Sequence, residues 1–390
     1  MDFSKVELDD ETKRFWSDVR AFLDVHLTDE VHEREWRTGD GYNVELWEKM
    51  GDKGWVMPRW SPAEGGIGAT PLHEAILAKE LRDRHAPSIS HGTTSLVVSA
   101  VRQWAGEDVK AEVLPAVARG TVRICLGYTE PDTGSDLANV KTRAVRDGDE
   151  WVINGQKMFT TGAQNCQYSF LVARTNPDAA KHKGITMFLV PLASPGVEIS
   201  AISTLGGERT NFVFYDNVRV PDRYRLGPVD QGWMVLNGPL SAEHGMGGDG
   251  EPLETGGMGF SHTLGRVLAK VVAWAGEPGA DGRRPIDDPT VRRRLAQVAL
   301  DIEVSDLAPG PMGRIVSSEL LIDDTADLLD LVGPEGLLSR EEAGAVGGGW
   351  VEYGHRYAQG TATYGGTTDI HRNLIAEHYL GLPRSRPANR

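Results

Sequence analysis

The chain has 390 residues and a formal net charge of −15, and hydrophobic residues make up 40% of it. The acidic balance argues against nucleic acid as a principal partner, because phosphate binding requires clustered lysine and arginine. No segment approaches the run of about 20 apolar residues that a membrane span requires. The first residues lack the basic start and apolar centre of a signal peptide, and Cys125 and Cys166 form no disulfide or metal-ligand pattern. These features predict a cytoplasmic globular protein of two or three domains, without a metal, in which both cysteines are structural residues.

The spacing of apolar residues changes twice along the chain. From residue 9 to about 120 they recur at helical spacing. Between about 121 and 225 the period becomes two, in short β-rich runs separated by turns such as Asn154-Gly155. Helical spacing returns from about 263 onward. The pattern predicts helices that include 72–81, 97–114, 264–272, 291–304 and 317–331, and strands that include 151–153, 168–173, 185–190 and 212–220.

A tight polar turn follows the short apolar run Ile124–Gly127, which we expect to be a buried strand. The turn covers Tyr128–Asp136 and combines hydroxyl side chains with a proline and a glycine. Such a turn can point backbone N–H groups and hydroxyls at one flat polar ligand, because proline and glycine fix the chain. The residues alone are equally compatible with an ordinary Asx/Gly turn. We expect Glu130 and Asp136 to stabilise the turn by accepting hydrogen bonds from nearby backbone N–H groups.

Five segments, in chain order, resemble motifs of the acyl-CoA dehydrogenase family. The turn resembles the family's T-E-P-x-x-G-S-D segment, and Trp151–Gly162 resembles its N-G-x-K-x-(W/F)-x-T strand. Tyr364–Asn373 resembles its C-terminal Y-x-G-T-x-x-I-x-R. The other two are the loop Gly54–Gly68 and the segment Val218–Gly227. Because these motifs extend over roughly 320 residues, chance is a poor explanation for them.

The resemblance implies a multidomain α+β fold with an N-terminal helical domain, a middle β-barrel and a C-terminal helical bundle. We place these domains at residues 1–120, 121–235 and 236–390. The resemblance also implies FAD, and the chemistry agrees, because removing hydride from a substrate carbon requires an acceptor that no side chain supplies.

The resemblance assigns two groups of residues to the flavin. In the strand motif, Phe159 would lie against the isoalloxazine, Thr161 would offer its hydroxyl to the reactive ring nitrogen, and Thr160 would supply backbone contacts. The residues of the turn would lie near the ring edge and the ribityl or phosphate groups. They are Tyr128, Thr129, Gly134 and Ser135.

The C-terminal region would supply the far end of the FAD site. The resemblance implies that Thr367 and Asp369 contact this end of the cofactor. Gly333 and Gly336 would meet the pyrophosphate of a neighbouring subunit's FAD, or serve only as a helix–helix turn. The family's R…F-G-x-x-I stretch is absent, and Arg283–Pro289 stands in its place.

The prediction of a catalytic base depends on two positions: one where relatives have a glutamate and this chain does not, and one where this chain has a glutamate. Many relatives have a glutamate after the tyrosine of the C-terminal motif, whereas this chain has Gly365, whose N–H can still polarise a thioester oxygen. A second family pattern has glycine there and takes its base from the helix after the barrel, where Glu243 stands. We therefore predict Glu243 as the base that removes the α proton. His244 stands in place of the usual arginine and would tune the base, replace it or, as we favour, lie at the surface.

The resemblance implies α,β-desaturation of an acyl thioester in lipid metabolism, with electrons passing to an electron-transfer flavoprotein. The substrate would be an acyl-CoA, branched or steroid-derived, or an acyl group on a carrier protein, and the assembly would be a homo- or heterotetramer. Two alternatives stay open: a non-catalytic partner subunit of a heterotetramer, and a flavin oxidase or monooxygenase. The glycine-rich segment 245–259 predicts a disordered loop, which is favoured, or a mobile cavity wall that admits a bulky substrate.

Overall fold

The computed structural model describes residues 7–244, 260–279, 281–308 and 310–383. Within them, twelve α-helices and eight strands follow the helix–strand–helix order that the periodicity predicts. The glycine-rich segment 245–259 lies outside the described residues, so both predictions for it stay open. The first six helices are α1 (Asp10–His26), α2 (Asp29–Thr38), α3 (Val44–Asp52), α4 (Pro71–Asp83), α5 (Ile89–Trp104) and α6 (Glu107–Ala118).

Capping residues determine where several of these helices begin. The carboxylate of Asp9 accepts a hydrogen bond of 2.7 Å from a backbone N–H in the first turn of α1, which also places a negative charge at the positive end of the helix. Thr70 caps α4 with its hydroxyl, and Pro71 takes the first helical position, where the N–H that proline lacks would have no helical partner. The predicted helical run 97–114 falls on both α5 and α6, because Gly106 is extended and separates them.

The strands form one sheet with two well-paired parts. In hydrogen-bonded order it runs β6–β7–β3–β2–β4–β5–β8, with β1 paired to β4, and the middle β domain implied by the resemblance is thereby confirmed. Strands β2 and β4 meet at a single pair, Arg143 with Arg174. Strands β4 and β5 are buried over nearly their whole length, which explains their continuous apolar runs. The strands are β1 (Ile124–Gly127), β2 (Arg143–Asp147), β3 (Glu150–Lys157), β4 (Tyr168–Arg174), β5 (Ile185–Pro191), β6 (Val197–Ser203), β7 (Arg209–Pro221) and β8 (Arg225–Leu226).

The chain forms two compact units. The first comprises Met1–Ser203 and Glu208–Pro239 and contains α1–α6 and the sheet. The second comprises Thr204–Gly207 and Leu240–Arg390. The first unit joins the first two predicted domains, and the boundaries at 120 and 235 stay predictions. The remaining helices are α7 (Gly232–Glu243), which begins in the first unit and ends in the second, and α8 (Phe260–Gly276), α9 (Pro289–Leu307), α10 (Gly310–Val332), α11 (Trp350–Thr361) and α12 (Thr368–Leu374).

No helix among the residues that the structure describes is both long and apolar enough to cross a membrane. The same residues hold no group of three or more His, Cys, Asp or Glu side chains placed to bind a metal ion. Cys125 and Cys166 are free and buried, as expected of structural residues.

Four helices of the second unit enclose its apolar core. Side chains of α8, α9, α10 and α11 form it, among them Val267, Leu295, Leu321 and Val351. Gly354 lets α11 approach α8 closely, since a Cβ built at this glycine would lie 2.4 Å from Cγ2 of Val267. Packed side chains do not come so close, so the crossing requires glycine at this position.

The close approach at Gly354 gives a stability prediction. Gly354→Ala should destabilise the second unit by about 1–2 kcal/mol, because the cost of overpacking exceeds the gain in helix propensity. Gly265→Ala on α8 is the matched control: its Cβ would meet Ile302 at 3.9 Å, an ordinary contact. We expect that substitution to stabilise by about 0.5–1 kcal/mol. Thermal unfolding of both variants measures the difference, and equal effects would contradict the described packing of α8 on α11.

Candidate active site

The turn after β1 is hydrogen-bonded to the residues that follow β3. The backbone N–H of Met158 donates to the carbonyl of Thr129 at 2.9 Å. Glu130 and Thr133 close the turn with two backbone hydrogen bonds of 2.9 and 3.1 Å. The structure therefore brings together, within the first unit, the two motifs to which the sequence assigned flavin binding.

A buried ion pair fixes this turn. Lys157 at the end of β3 is 0% exposed, and its Nζ lies 2.8 Å from Oε1 of Glu130, which is 5% exposed. The same Nζ donates to the carbonyl of Tyr128 at 3.2 Å. Glu130 also accepts from the backbone N–H groups of Lys141 and Thr142, at 2.6 and 2.9 Å. Glu130 therefore stabilises the turn, but its carboxylate is bonded to Lys157 and to N–H groups 11 and 12 residues further along the chain, not to the local N–H groups expected.

Both members of the pair are charged at neutral pH. Burial lowers the pKa of Lys157 to about 8, although the charge of Glu130 opposes the change. Burial also raises the pKa of Glu130, but Lys157 and the two N–H donors outweigh it, so this pKa lies below its ordinary value. Removal of either partner would leave an uncompensated buried charge.

The segment after β3 presents an aromatic ring from a strained backbone. Phe159 has a φ of +56°, which L residues rarely adopt, and its side chain is 54% exposed. The next residue is held firmly: the N–H of Thr160 donates to the carbonyl of Asn211 at 2.9 Å, and the Asn211 amide donates back at 3.0 Å. The Thr161 hydroxyl lies 3.2 Å from that of Thr210.

The other predicted residues of the turn differ in exposure. Tyr128 is buried, and its ring packs edge-on against a core phenylalanine. Gly134 and Ser135 are exposed, and a Cβ at Gly134 would meet open space. Asp136 does not accept from the local backbone as expected, because its carboxylate instead lies 2.7 Å from Nζ of Lys181 in an exposed ion pair.

Glu243 is the last residue of α7 and is half-buried in the second unit. No hydrogen bond or ion pair joins its carboxylate to another residue in the described part of the chain. Burial raises its pKa to about 7, and the charge of Arg314 opposes this only in part. A carboxylate that titrates near neutral pH is suited to general-base catalysis, because it combines a useful ionised fraction with sufficient basicity.

The turn that follows Tyr364 is held from two sides. Arg314, 2% exposed on α10, donates from Nη2 to the carbonyls of Thr361, at 2.6 Å, and of Tyr364. Nε2 of His371 lies 3.0 Å from the carbonyl of Gly365. Hydrogen bonds therefore fix the peptide groups on both sides of Gly365, whose φ of +65° suits glycine.

His244 is half-buried, so the expectation that it lies at the surface is wrong. Its ring packs edge-on against His371, with centroids 5.1 Å apart. Burial, together with the nearby His371 and Arg314, lowers the pKa of His244 to about 4. The imidazole next to Glu243 is therefore neutral at pH 7.

The other predicted C-terminal residues have structural roles in the second unit. Thr367 caps α12, since its hydroxyl accepts from the N–H of Ile370 at 3.2 Å. The Asp369 side chain is 90% exposed and lies 3.7 Å from the guanidinium of Arg372. The segment Arg283–Pro289, which stands where the family's interface stretch is expected, contains an Arg284–Asp287 ion pair and the cap of α9.

Gly333 and Gly336 follow the opposite end of α10 from Arg314. At 1.5 Å per residue, Gly333 and Arg314 are about 28 Å apart along the helix. The second unit therefore does not bring Gly333 to the turn at Gly365, which Arg314 contacts through its preceding carbonyl. Gly336 also has a packing role, because a Cβ there would lie 3.1–3.2 Å from side chains of α10.

The residues that hold the two turns were not predicted from the sequence. They are Lys157 and Asn211 in the first unit, and Arg314 and His371 in the second. Lys157 carried little signal, because the strand that it ends also contains the polar residues Glu150, Asn154 and Gln156. Arg314 carried a weak signal, because it precedes Leu321 and Leu328 at helical spacing on the buried face of α10.

Residues 9–121, 125–218 and 306–380 match, respectively, the N-terminal, middle and C-terminal domains of acyl-CoA dehydrogenase. The chain belongs to the acyl-CoA dehydrogenase family and is an oxidoreductase. Members of this family are FAD-dependent flavoproteins.

The similarity extends over the whole chain. The protein is 30% identical to acyl-CoA dehydrogenase FadE26 of Mycobacterium tuberculosis, an alignment that covers 94% of this chain and 96% of the relative. It is 29% identical to acyl-CoA dehydrogenase FadE29 of the same organism, over 97% and 99% of the two chains. Among solved structures it resembles the ChsE4-ChsE5 complex from Mycobacterium tuberculosis, with a TM-score of 0.83, 28% identity and coverage of 98% and 100%. The Tcur3481-Tcur3483 steroid ACAD gives a TM-score of 0.81 with 29% identity and the same coverage.

The residues of the first unit fit FAD. The hydroxyls of Thr133 and Thr160 are buried and have no hydrogen-bond partner among the described residues, so each can serve a polar ligand. Phe159 offers an exposed ring for stacking, and Gly134 and Ser135 offer accessible backbone in the turn motif. The aromatic ring suits the ring system of a cofactor, and the hydroxyl and backbone groups suit its polar chain.

The ion pair under the turn gives a second prediction. Lys157→Met should destabilise the protein by about 3–5 kcal/mol and reduce bound FAD, because Glu130 would be left as an unpaired buried charge. Lys141→Met is the control. It removes an exposed pair with Asp132 beside the same turn, worth at most about 1 kcal/mol. The thermal midpoint and the flavin-to-protein absorbance ratio measure both effects, and equal losses in the two variants would argue against a special role of the buried pair.

Proposed function

We propose that the protein catalyses α,β-desaturation of an acyl-CoA thioester, with Glu243 as the base that removes the α proton. The observation that carries the proposal is the half-buried carboxylate of Glu243, whose pKa of about 7 suits proton abstraction at neutral pH. The alternative position for a base, after Tyr364, holds Gly365 and supplies no carboxylate.

The other parts of the reaction are assigned to groups described above. The N–H of Gly365 donates to the thioester oxygen and stabilises the negative charge that develops there when the α proton leaves. Bound FAD supplies the acceptor for the β hydride. Phe159, Thr160 and Thr161 hold and orient this cofactor together with the turn Tyr128–Asp136.

The substrate class and partners are the finer part of the proposal. A steroid acyl-CoA dehydrogenase among the structural relatives supports a bulky substrate, branched or steroid-derived. The reduced cofactor would pass its electrons to an electron-transfer flavoprotein, and the protein would act in cytoplasmic lipid metabolism. A tetramer is favoured because Gly333 lies about 28 Å along α10 from Arg314, the residue that contacts the Gly365 turn of the same chain, and such a separation suits a contact with another subunit's FAD.

A second candidate function is that of a partner subunit in a two-chain enzyme. A related structure contains two different chains, ChsE4 and ChsE5, and Arg283–Pro289 replaces the interface motif expected of relatives. The raised pKa of Glu243 and the FAD-compatible turn favour the catalytic role. Purification with and without a co-expressed partner chain distinguishes the two functions. A catalytic subunit should bind FAD and desaturate the substrate in its active assembly, and Glu243→Gln should abolish that activity. A non-catalytic partner subunit should leave the activity of the assembly unchanged when it carries Glu243→Gln.

The flavin spectrum provides the direct test. Titration of the purified protein with straight, branched and steroid acyl-CoAs should bleach the flavin absorbance with the true substrate. Glu243→Gln should keep bound FAD and lower the rate of bleaching at least about 10³-fold, because no base remains for the α proton. Glu303, exposed on α9 of the same unit, is the control position, and Glu303→Gln should bleach at the wild-type rate. Unchanged bleaching in Glu243→Gln would remove Glu243 from the mechanism.

The pKa of Glu243 also sets the pH dependence. The base works only when ionised, so kcat/KM should rise with pH and reach half its plateau near pH 7. Because the folded-state pKa exceeds the ordinary value of 4.5, the protonated form stabilises the fold at low pH, and that contribution is lost as the pH rises through 7. The thermal midpoint of the wild type should therefore fall relative to Glu243→Gln between about pH 5 and 8. A parallel course of the two midpoints would contradict a raised pKa.

A further inference from the structure

The peptide group between Tyr364 and Gly365 is held by a buried cation. Nη2 of Arg314 donates to the carbonyl of Tyr364 and, at 2.6 Å, to that of Thr361. The Tyr364 carbonyl and the N–H of Gly365 belong to one planar peptide group and point in opposite directions. A donor that fixes the carbonyl therefore also fixes the direction of the N–H.

We propose that Arg314 is a positioning residue for the desaturation reaction: it orients and polarises the Gly365 N–H through the Tyr364 carbonyl, and its charge favours the ionised form of the Glu243 carboxylate. The inference rests on the proposed function, in which that N–H binds the thioester oxygen. A hydrogen bond from a cation to a carbonyl polarises the peptide group and strengthens its N–H as a donor. Arg314 thus acts on both groups that handle the negative charge of the reaction.

The incomplete pairing of Arg314 supports a role for its charge. Its Nε and Nη1 have no hydrogen-bond partner among the described residues. Its guanidinium carbon lies 4.9 Å from the centre of the Phe260 ring, a cation–π contact that compensates burial only in part. A buried guanidinium with unsatisfied N–H groups destabilises a fold. A contribution to stability alone therefore does not explain why an arginine occupies this position.

Among the described residues, Arg314 is the cation that acts on Glu243. His244 and His371 both have pKa values lowered first by burial, so both imidazoles are neutral at pH 7. Arg314 lowers the pKa of Glu243 against the effect of burial. The titratable and charged groups that interact within this cluster, from α7, α10, α11, α12 and the adjoining turns, are Glu243, His244, Arg314, Tyr357, Tyr364 and His371.

Two substitutions separate the two effects. Arg314→Gln removes the charge, so the pH midpoint of kcat/KM should rise by about one unit and kcat/KM below pH 7 should fall about tenfold. Arg314→Lys keeps a cation but loses the planar fork that reaches two carbonyls. It should keep the wild-type midpoint while kcat falls about tenfold with little change in KM, because the Gly365 N–H is less well oriented.

A second measurement needs no turnover. The difference in thermal midpoint between each Arg314 variant and the same variant carrying Glu243→Gln, followed against pH, reports the ionisation of Glu243. The pH range over which this difference changes should move to higher pH in Arg314→Gln and stay as in the wild type in Arg314→Lys. Arg294→Gln is the control. Its guanidinium pairs with Asp327, about 20 Å along α10 from Arg314, and it should leave both readouts unchanged.

The outcomes distinguish the inference from the proposed function. The inference would be overturned if Arg314→Gln left the pH midpoint of kcat/KM and the pH range of the thermal readout as in the wild type, even if Glu243→Gln is inactive. Full activity of Glu243→Gln would overturn the proposed function, while the thermal readout still decides whether Arg314 acts on Glu243. If Arg314→Gln does not fold, Arg314→Lys decides: a retained midpoint with reduced kcat supports the inference, and a midpoint raised by about one unit contradicts it.

Discussion

The charge of Lys157 is removed from water, and the turn that follows β1 is built around it. Its ammonium holds the carboxylate of Glu130 and the carbonyl of Tyr128, while Glu130 in turn accepts two backbone N–H groups. Since each of these polar groups would be costly to bury alone, the turn and the end of β3 must form together. The strained backbone at Phe159 follows directly after this anchor, and a rigid support of this kind is what allows such strain to persist.

The second unit also has a buried cation beside a functional turn, but within the described ranges this cation is not neutralised by a carboxylate in contact. Arg314 also holds main-chain carbonyls beside a functional turn, but it has no ion-pair partner within hydrogen-bond distance among the described residues, and two of its donors are unsatisfied. Lys157 is neutralised by a carboxylate in contact, so its field is confined to the turn. The field of Arg314 is not cancelled in this way, and it extends to Glu243. The first cation is thus suited to support a structure, and the second to influence a reaction.

The sequence predicted the order of elements and the two motifs at the turn and β3, and its candidate base, Glu243, stays a prediction. These depend on local spacing and on a resemblance carried by contiguous residues. It could not predict what lies beneath the motifs, because Lys157 with Glu130 and Arg314 with Tyr364 meet only through the fold. The expectation for His244 was wrong for the same reason: a polar residue before a glycine-rich segment looks exposed, but the fold packs its ring against His371. The expectation that Asp136 bonds to the local backbone was also wrong, because its carboxylate pairs with Lys181, which is distant in sequence.

A single constraint connects the glycine at 365, the neutral imidazole at 244 and the arginine at 314. A carboxylate in a tight ion pair would have a low pKa and be a poor base, whereas one in a wholly neutral, buried environment would stay protonated. With His244 neutral, no cation adjoins Glu243 in sequence, and Arg314 supplies positive charge without an ion-pair contact. A side chain is also disfavoured at Gly366, whose φ is +79° and where a Cβ would lie 3.0 Å from Nε2 of both His244 and His371. The histidine pair thereby shapes the turn, and the arginine sets its electrostatics, so that the base can come from α7 and the oxygen-binding N–H from the turn.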